Sequence, residues 1–196
     1  MTLILASRSP RRRELLGKAG IPFEVRPVTV DESLRRGEAA VNYVERVARD
    51  KALTVAQAAA PGSPVLGADT VVVAAGEVLG KPRDAADAAR MLRLLSGGTH
   101  YVVTGVCLVR APDTVEALLH EATTVVMKPL SEAMIQEYIR SGEPLDKAGA
   151  YAIQGLASKF IARVDGNVDN VVGLPVARVA KMLSALESGG GAGEGA

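Results

Sequence analysis

Two long runs, YVVTGVCLVRA (residues 101–111) and EALLHEATTVVMK (residues 116–128), are dominated by β-branched and apolar residues. Such runs read as strands, and two in succession as antiparallel neighbours. They are set among helical patterns, which dictates a chain of alternating elements. TLILA reads as a short buried strand, followed by a helix from Pro10 to about Ala19, with proline at its favoured first position. PFEVRPV predicts a strand, and Glu38 to about Ala59 a long helix. PVLGADTVVVAAGEVLG predicts a β-hairpin turning at Gly76. Asp84 caps a helix that ends at LSGG, and Ser131 to about Ser141 predicts another. AYAIQG and KFIARVDG predict strands, and Leu174 to Glu187 a final helix. The expected class is α/β, a mixed twisted sheet flanked by helices.

The 196 residues suit one domain, expected over residues 1–187, and the Gly-rich residues 188–196 are expected to form a disordered tail. Net charge is +1, aromatic residues make up 3%, and there is no tryptophan. This balance gives no global field for nucleic acid or an anionic membrane, and no platform for stacking bases. The single Cys107 lies in an apolar run and reads as a core thiol. No leader pattern and no membrane-length apolar run is evident, so the expected compartment is the cytoplasm.

Against that balance, three arginines open the first helix in LASRSPRRRELLGKAG. Leu15, Leu16 and Ala19 share a helix face, Arg11 and Arg12 flank it, and Arg13 points away. Cations are unfavourable at the positive end of a helix, and a bound anion reverses the sign. The free amides of the first turn, the Ser7 and Ser9 hydroxyls and two guanidiniums would make a phosphate cradle. The alternative is a solvated basic turn that pairs with Glu14.

Further along, Lys51 sits in the apolar stripe of Val41, Val44, Val47, Ala48, Ala52 and Val55. It must snorkel, find a buried partner or project into a cleft. Asp69 and Thr70 interrupt the apolar strand VLGADTVVV. A carboxylate there suits a metal ligand or a base that activates water, or else a strand-end cap or arginine partner. Lys81 precedes a proline that holds it extended, and Glu32 is a second acid on a loop.

LASRSPRR, VARDKA, VLGADTVV, LGKPRD, SGEPLDKAGAYAIQG and VVGLP occur in this order from Leu5 to about Leu183. Together they resemble the Maf family, the septum-formation-inhibitor-like nucleoside triphosphate pyrophosphatases. The resemblance implies two lobes around a deep cleft, a homodimer, and hydrolysis between the α and β phosphates to a monophosphate and pyrophosphate. It implies a divalent cation, Mg2+ or Mn2+. The family's proton-accepting aspartate matches Asp69. Its phosphate-binding residues match Ser7, Arg11, Arg12, Lys51 and Lys81. Its metal-contacting acid matches Glu32, and its residues of base choice match Arg11, Thr70 and Gln154. AYAIQG resembles the dTTP/UTP branch, whereas a sister branch acting on 7-methyl-GTP carries Ser-Glu-Gly there. VDGNVDN, before VVGLP, varies within the family.

The chemistry agrees with that likeness. A triphosphate carries about four negative charges, which Arg11, Arg12, Lys51 and Lys81 would meet together with the metal. The Gln154 amide accepts from a pyrimidine N3–H while donating to O4, an edge that uracil and thymine share. A glutamine amide also flips to pair with purines, so pocket size must exclude them. Two other classes stay open on sequence: a regulatory binding module of cell division, and a phosphatase that releases orthophosphate. His100 and His120 lack the spacing of zinc ligands.

Overall fold

The computed structural model describes residues 2–189. The elements run β1 (Leu3–Leu5), α1 (Pro10–Lys18), β2 (Phe23–Val25), α2 (Ala40–Ala56), β3 (Pro64–Ala74) and β4 (Glu77–Leu79). There follow α3 (Ala85–Leu95), β5 (Thr99–Arg110), β6 (Thr114–Met127), α4 (Glu132–Arg140), β7 (Ile161–Asp165), α5 (Val168–Val172) and α6 (Val176–Gly189). Three 3-10 turns, over Glu143–Asp146, Ala148–Ala150 and Leu156–Phe160, separate α4 from β7.

Local chemistry accounts for most boundaries. The Ser9, Asp84 and Ser131 side chains accept from the third-residue amides of α1, α3 and α4. Ala75 (φ 49°) and Gly76 (φ 78°) both turn left-handed between β3 and β4, the backbone of a tight hairpin turn.

One seven-stranded sheet has the order β2-β1-β3-β5-β6-β7, with β4 also on β3. β1 runs parallel to β2 and β3, and the remaining pairs are antiparallel, so the sheet is mixed as expected. On one face of β3, Leu66 and Ala68 join a cluster with Leu15, Leu16, Val179 and Met182 from α1 and α6. On the same face Val72 and Ala74 join Leu92, Leu95, Ile135 and Tyr138 from α3 and α4. Thr70 falls between the two clusters. That split makes the two lobes.

Among the described residues, α2 is the helix on the opposite face. Ala48, Ala52 and Val55 pack on Val65, Cys107 and Val109, while Val44 and Val47 pack on Val71 and Val103. The helix touches the strand backbone itself. A Cβ at Gly67 would lie 2.0 Å from the Ala48 carbonyl oxygen, and one at Gly105 would lie 2.4 Å from that of Val44. Only glycine permits this approach. Cys107 is buried, with its thiol pushed up to about 12 by desolvation.

Several expectations need correction. AYAIQG is no strand. Ala150 takes φ 60° and Gly155 φ 91°, which break an extended run, and Tyr151 enters the α3–α4 core from a loop. β2 stops at Val25, two residues before Pro27, which has no amide to donate to a ladder. α2 is shorter than Glu38–Ala59, because the Glu38 carboxylate instead binds the Arg35 amide and Arg46. Lys159 and Phe160 belong to a 3-10 turn before β7. Ala19 lies just past α1 and is exposed, off the buried face. α5 is an additional short helix in VDGNVDN, capped by the Asn167 side chain. α6 extends to Gly189, and the rest of the expected tail lies outside the described residues.

Candidate active site

A gap in the sheet creates the site. β1 pairs with β3 at Ile4↔Val65 and Leu5↔Leu66, then stops. β4 pairs with the same edge of β3 only from Val72↔Leu79 onward. Between them, residues 67–71 have no strand partner on that side among the described residues. β1 is parallel to β3 and β4 antiparallel, so the chain leaving each one heads into the gap. Ser7 and α1 follow β1, and Gly80 and Lys81 follow β4. Ligands of α/β sheets bind in such openings beyond strand ends.

Asp69 stands in the gap on the α2 side of the sheet, directly across from Gly105. Because both glycines let α2 sit against the strands, Lys51 reaches Asp69. Its ammonium donates to Asp69 Oδ1 at 2.8 Å and lies 2.7 Å from Glu32 Oε1. Asp69 and Lys51 are each 7% exposed, whereas Glu32 is half open to solvent. Burial pushes the Glu32 carboxyl up, but the hydrogen bond and charge of Lys51 outweigh it and leave the group below its ordinary value.

On the other face Arg12 is buried and forked. Its Nε donates to the Gly173 carbonyl at 2.8 Å, Nη1 to Ser7 Oγ at 3.2 Å and Nη2 to Thr70 Oγ1 at 3.1 Å. Thr70 in turn shares a 2.9 Å hydrogen bond with Thr104. Arg12 thus ties α1 to β3 and to the end of α5. Burial draws its guanidinium below the ordinary value, with Asp69 opposing. It stays a cation over any accessible pH. Arg11 is only weakly paired, 3.9 Å from Asp146.

Ser7, Arg11, Arg12, Glu32, Lys51, Asp69, Thr70, Lys81 and Gln154 all line one cleft of about 520 Å3. That volume suits a small-molecule ligand. A family model described as Maf-like protein matches residues 2–186. The chain belongs to the Maf family.

Its relatives are close. A dTTP/UTP pyrophosphatase from Anaeromyxobacter sp. (strain Fw109-5) is 55% identical over 184 residues, covering 92% of this chain and 87% of the relative. A dTTP/UTP pyrophosphatase from Salmonella typhimurium is 50% identical, covering 93% and 92%. Among solved structures, a HAM1 protein from Coxiella burnetii aligns with a TM-score of 0.52 at 13% identity, covering 94% of this chain and 99% of that one. That likeness concerns the fold alone.

The cations and acids singled out in the sequence of this Maf chain line one cleft, but several other lining groups were missed. Lys147, Arg8, Tyr43 and Tyr151 also face it. Lys147 donates to the Glu143 carbonyl and to Asp146 Oδ1, each at 2.6 Å. Its signal was its place in the motif SGEPLDKAGAYAIQG, and that of Arg8 its place in the arginine run. The Gly173 carbonyl is 161 residues from Arg12, and no local pattern announces it.

Proposed function

We propose that this Maf-family protein hydrolyses nucleoside triphosphates, dTTP and UTP foremost, to the monophosphate and pyrophosphate. The observation that carries the reading is the Glu32–Lys51–Asp69 cluster, set beside Arg11, Arg12 and Ser7 in one cleft. Acids able to manage a proton and a metal thus face cations able to hold a polyphosphate.

The donor set fits a divalent cation. Glu32 and Asp69 already converge on one positive group, the Lys51 ammonium. Among the described residues no cluster of three His, Cys, Asp or Glu side chains forms a closed metal site. Mg2+ and Mn2+ suit one or two carboxylates, with water and phosphate oxygens completing the shell. Glu32 and Asp69 would hold the ion, which when bound neutralises phosphate charge and polarises the phosphorus.

The chain's own groups supply the rest. Asp69 accepts the proton of a water whose oxygen attacks the α-phosphorus, and the bond to the α–β bridging oxygen breaks. Pyrophosphate departs with that electron pair. Its growing charge is met by Arg11 and Lys81 and by the two N–H groups of Arg12 that bind no acceptor among the described residues. Lys51, hydrogen-bonded to Asp69, turns to the phosphates. Gln154 reads the edge shared by uracil and thymine, donating its NH2 to O4 and accepting from N3–H. Residues 1–187 act as one domain, in a cytoplasmic homodimer that uses neither nucleic acid nor membrane. No helix among the described residues is long and apolar enough to cross a membrane.

A nucleotide panel with Mg2+ or Mn2+ and product identification tests the reading. The expected result is dTMP or UMP with pyrophosphate, and kcat/KM for dTTP and UTP above that for CTP and the purine triphosphates. Orthophosphate as first product, or a profile led by purines, would overturn it.

A further inference from the structure

Glu32 lies on residues 26–39, which form neither helix nor strand. A carboxylate on such a segment has no regular ladder to fix it. Among the described residues its one side-chain partner is Lys51, and the proposed reaction asks Lys51 to turn toward phosphate. Something else must keep Glu32 in place.

The holding groups come from α2. The Arg46 guanidinium donates to the Asp31 carbonyl at 3.4 Å and to the Ser33 carbonyl at 3.0 Å, and the Tyr43 hydroxyl donates to the Glu32 carbonyl at 2.7 Å. Three consecutive carbonyls are therefore gripped by one helix. Arg46 is itself fixed by a two-point pair with Glu38, at 2.7 and 2.8 Å, and lies over the Tyr43 ring. Asp31 Oδ1 closes the turn by accepting from the Ser33 amide and hydroxyl at 2.9 and 2.6 Å. The Arg46 and Glu38 side chains are 13% and 10% exposed, far more enclosed than a surface pair needs to be.

We infer that Arg46 and Tyr43 are positioning residues that hold Glu32 at the cation site through its backbone. This rests on the proposed metal-assisted hydrolysis. The same helix carries Lys51, so one element fixes both the acid and its counter-charge, and the two keep register when a ligand enters.

The test uses full-length protein, wild type and the variants Arg46→Met, Arg46→Lys and Tyr43→Phe. Mn2+ is titrated by electron paramagnetic resonance in the presence of a non-hydrolysable α,β-methylene dUTP analogue. The expected loss of apparent Mn2+ affinity is roughly 10–100-fold for Arg46→Met, the range seen when supports of metal ligands are removed. Tyr43→Phe should lose less, and Arg46→Lys should not restore the fork. For the Arg46 variants, affinity for the analogue without metal should stay within about twofold of wild type, an outcome a merely structural role would not give. Amide exchange at residues 31–36 should quicken in Arg46→Met. Where that variant does not fold, Glu38→Gln replaces it, since it frees the guanidinium without altering volume. Wild-type Mn2+ affinity in the variants, equal loss of metal-free nucleotide binding, or unchanged exchange at 31–36 overturns the inference. A wild type that hydrolyses neither dTTP nor UTP instead sinks the proposed function, while the exchange result still decides the brace.

Discussion

Lys51 and Gln154 line the same cleft but are held in opposite ways. Lys51 projects from the 17-residue helix α2, which is seated on strand backbone at Gly67 and Gly105. Gln154 lies on a segment bounded by 3-10 turns, with left-handed residues at Ala150 and Gly155. On the proposed reading, Lys51 and Asp69 thus belong to the scaffold, and Gln154, the proposed base reader, belongs to a loop. Scaffold placement holds reacting groups to a fraction of an ångström, whereas loops tolerate variation. Reaction type should then be fixed across relatives of this fold while base choice is adjusted locally.

The scaffold side should break hardest. Asp69→Asn keeps the shape of the strand and removes the proposed proton acceptor. Turnover should fall by about 10²–10⁴-fold, the usual worth of a general base, while nucleotide still binds. Steady-state kinetics beside equilibrium binding check this, and a near-normal rate removes Asp69 from the mechanism.

The seat of α2 comes next. Gly67→Ala would place a methyl 2.0 Å from the Ala48 carbonyl oxygen and 2.8 Å from the Ala52 amide nitrogen. Both are backbone atoms, so α2 itself must move. A loss of about 3 kcal/mol is expected, the upper end for overpacking, or about 6–12 °C in Tm for a chain of this size. Lys51 would be displaced with the helix, so kcat should fall as well. Unchanged Tm would show that the close approach is not needed.

Where the loop's Tyr151 meets β5, burial brings His100 down to about 4 from an ordinary 6.5. Its Nε2 meets the Tyr151 hydroxyl at 2.7 Å, and among the described residues Nδ1 has no partner. Between those two values the unfolded chain binds the proton and the folded one does not. Stability is therefore full above pH 6.5 and declines as pH falls, by about 2 kcal/mol at pH 5 and about 3 at pH 4. Subtracting the melting profile of His100→Gln from that of wild type isolates this share, and parallel profiles would refute it.

The same contrast explains what could be read from the chain. Caps and periodicity are local, so α1, α3, α4 and the β3–β4 hairpin follow from Pro10, Asp84, the start at Ser131 and Gly76. Lys51 in an apolar stripe left three outcomes, and it takes two of them: a buried partner, Asp69, and a place in the cleft. Asp69 proves to be the partner of a lysine, where an arginine partner or a strand cap had been the alternatives. Residues 150–155 misled because apolar alternation is the same in a strand and in a loop that tucks Tyr151 into the core. What separates them is the left-handed backbone at Ala150, which no side-chain pattern encodes. The fork of Arg12 onto Gly173 is set by chain topology and has no local trace.

The smallest expected effect probes how the segment carrying Gln154, the proposed base reader, is tethered. Glu143 Oε2 accepts from the Leu156 amide at 3.1 Å, and Oε1 accepts from the Tyr138 hydroxyl at 3.1 Å. A Cβ on Gly155 would lie 2.8 Å from Oε1, so the loop presses directly on this carboxylate. Glu143 therefore fixes where the chain turns after Gln154 without lining the cleft itself. Glu143→Gln keeps the side chain's shape but weakens the charged acceptor facing Leu156, a loss of about 1 kcal/mol. The scaffold side is untouched, so kcat for dTTP should hold. KM should rise by about fivefold, and the preference for dTTP over CTP should shrink as Gln154 loses its fixed height. An equal fall in kcat for every nucleotide would mean that the loop and the scaffold are not separable, and the division of labour between them would be lost.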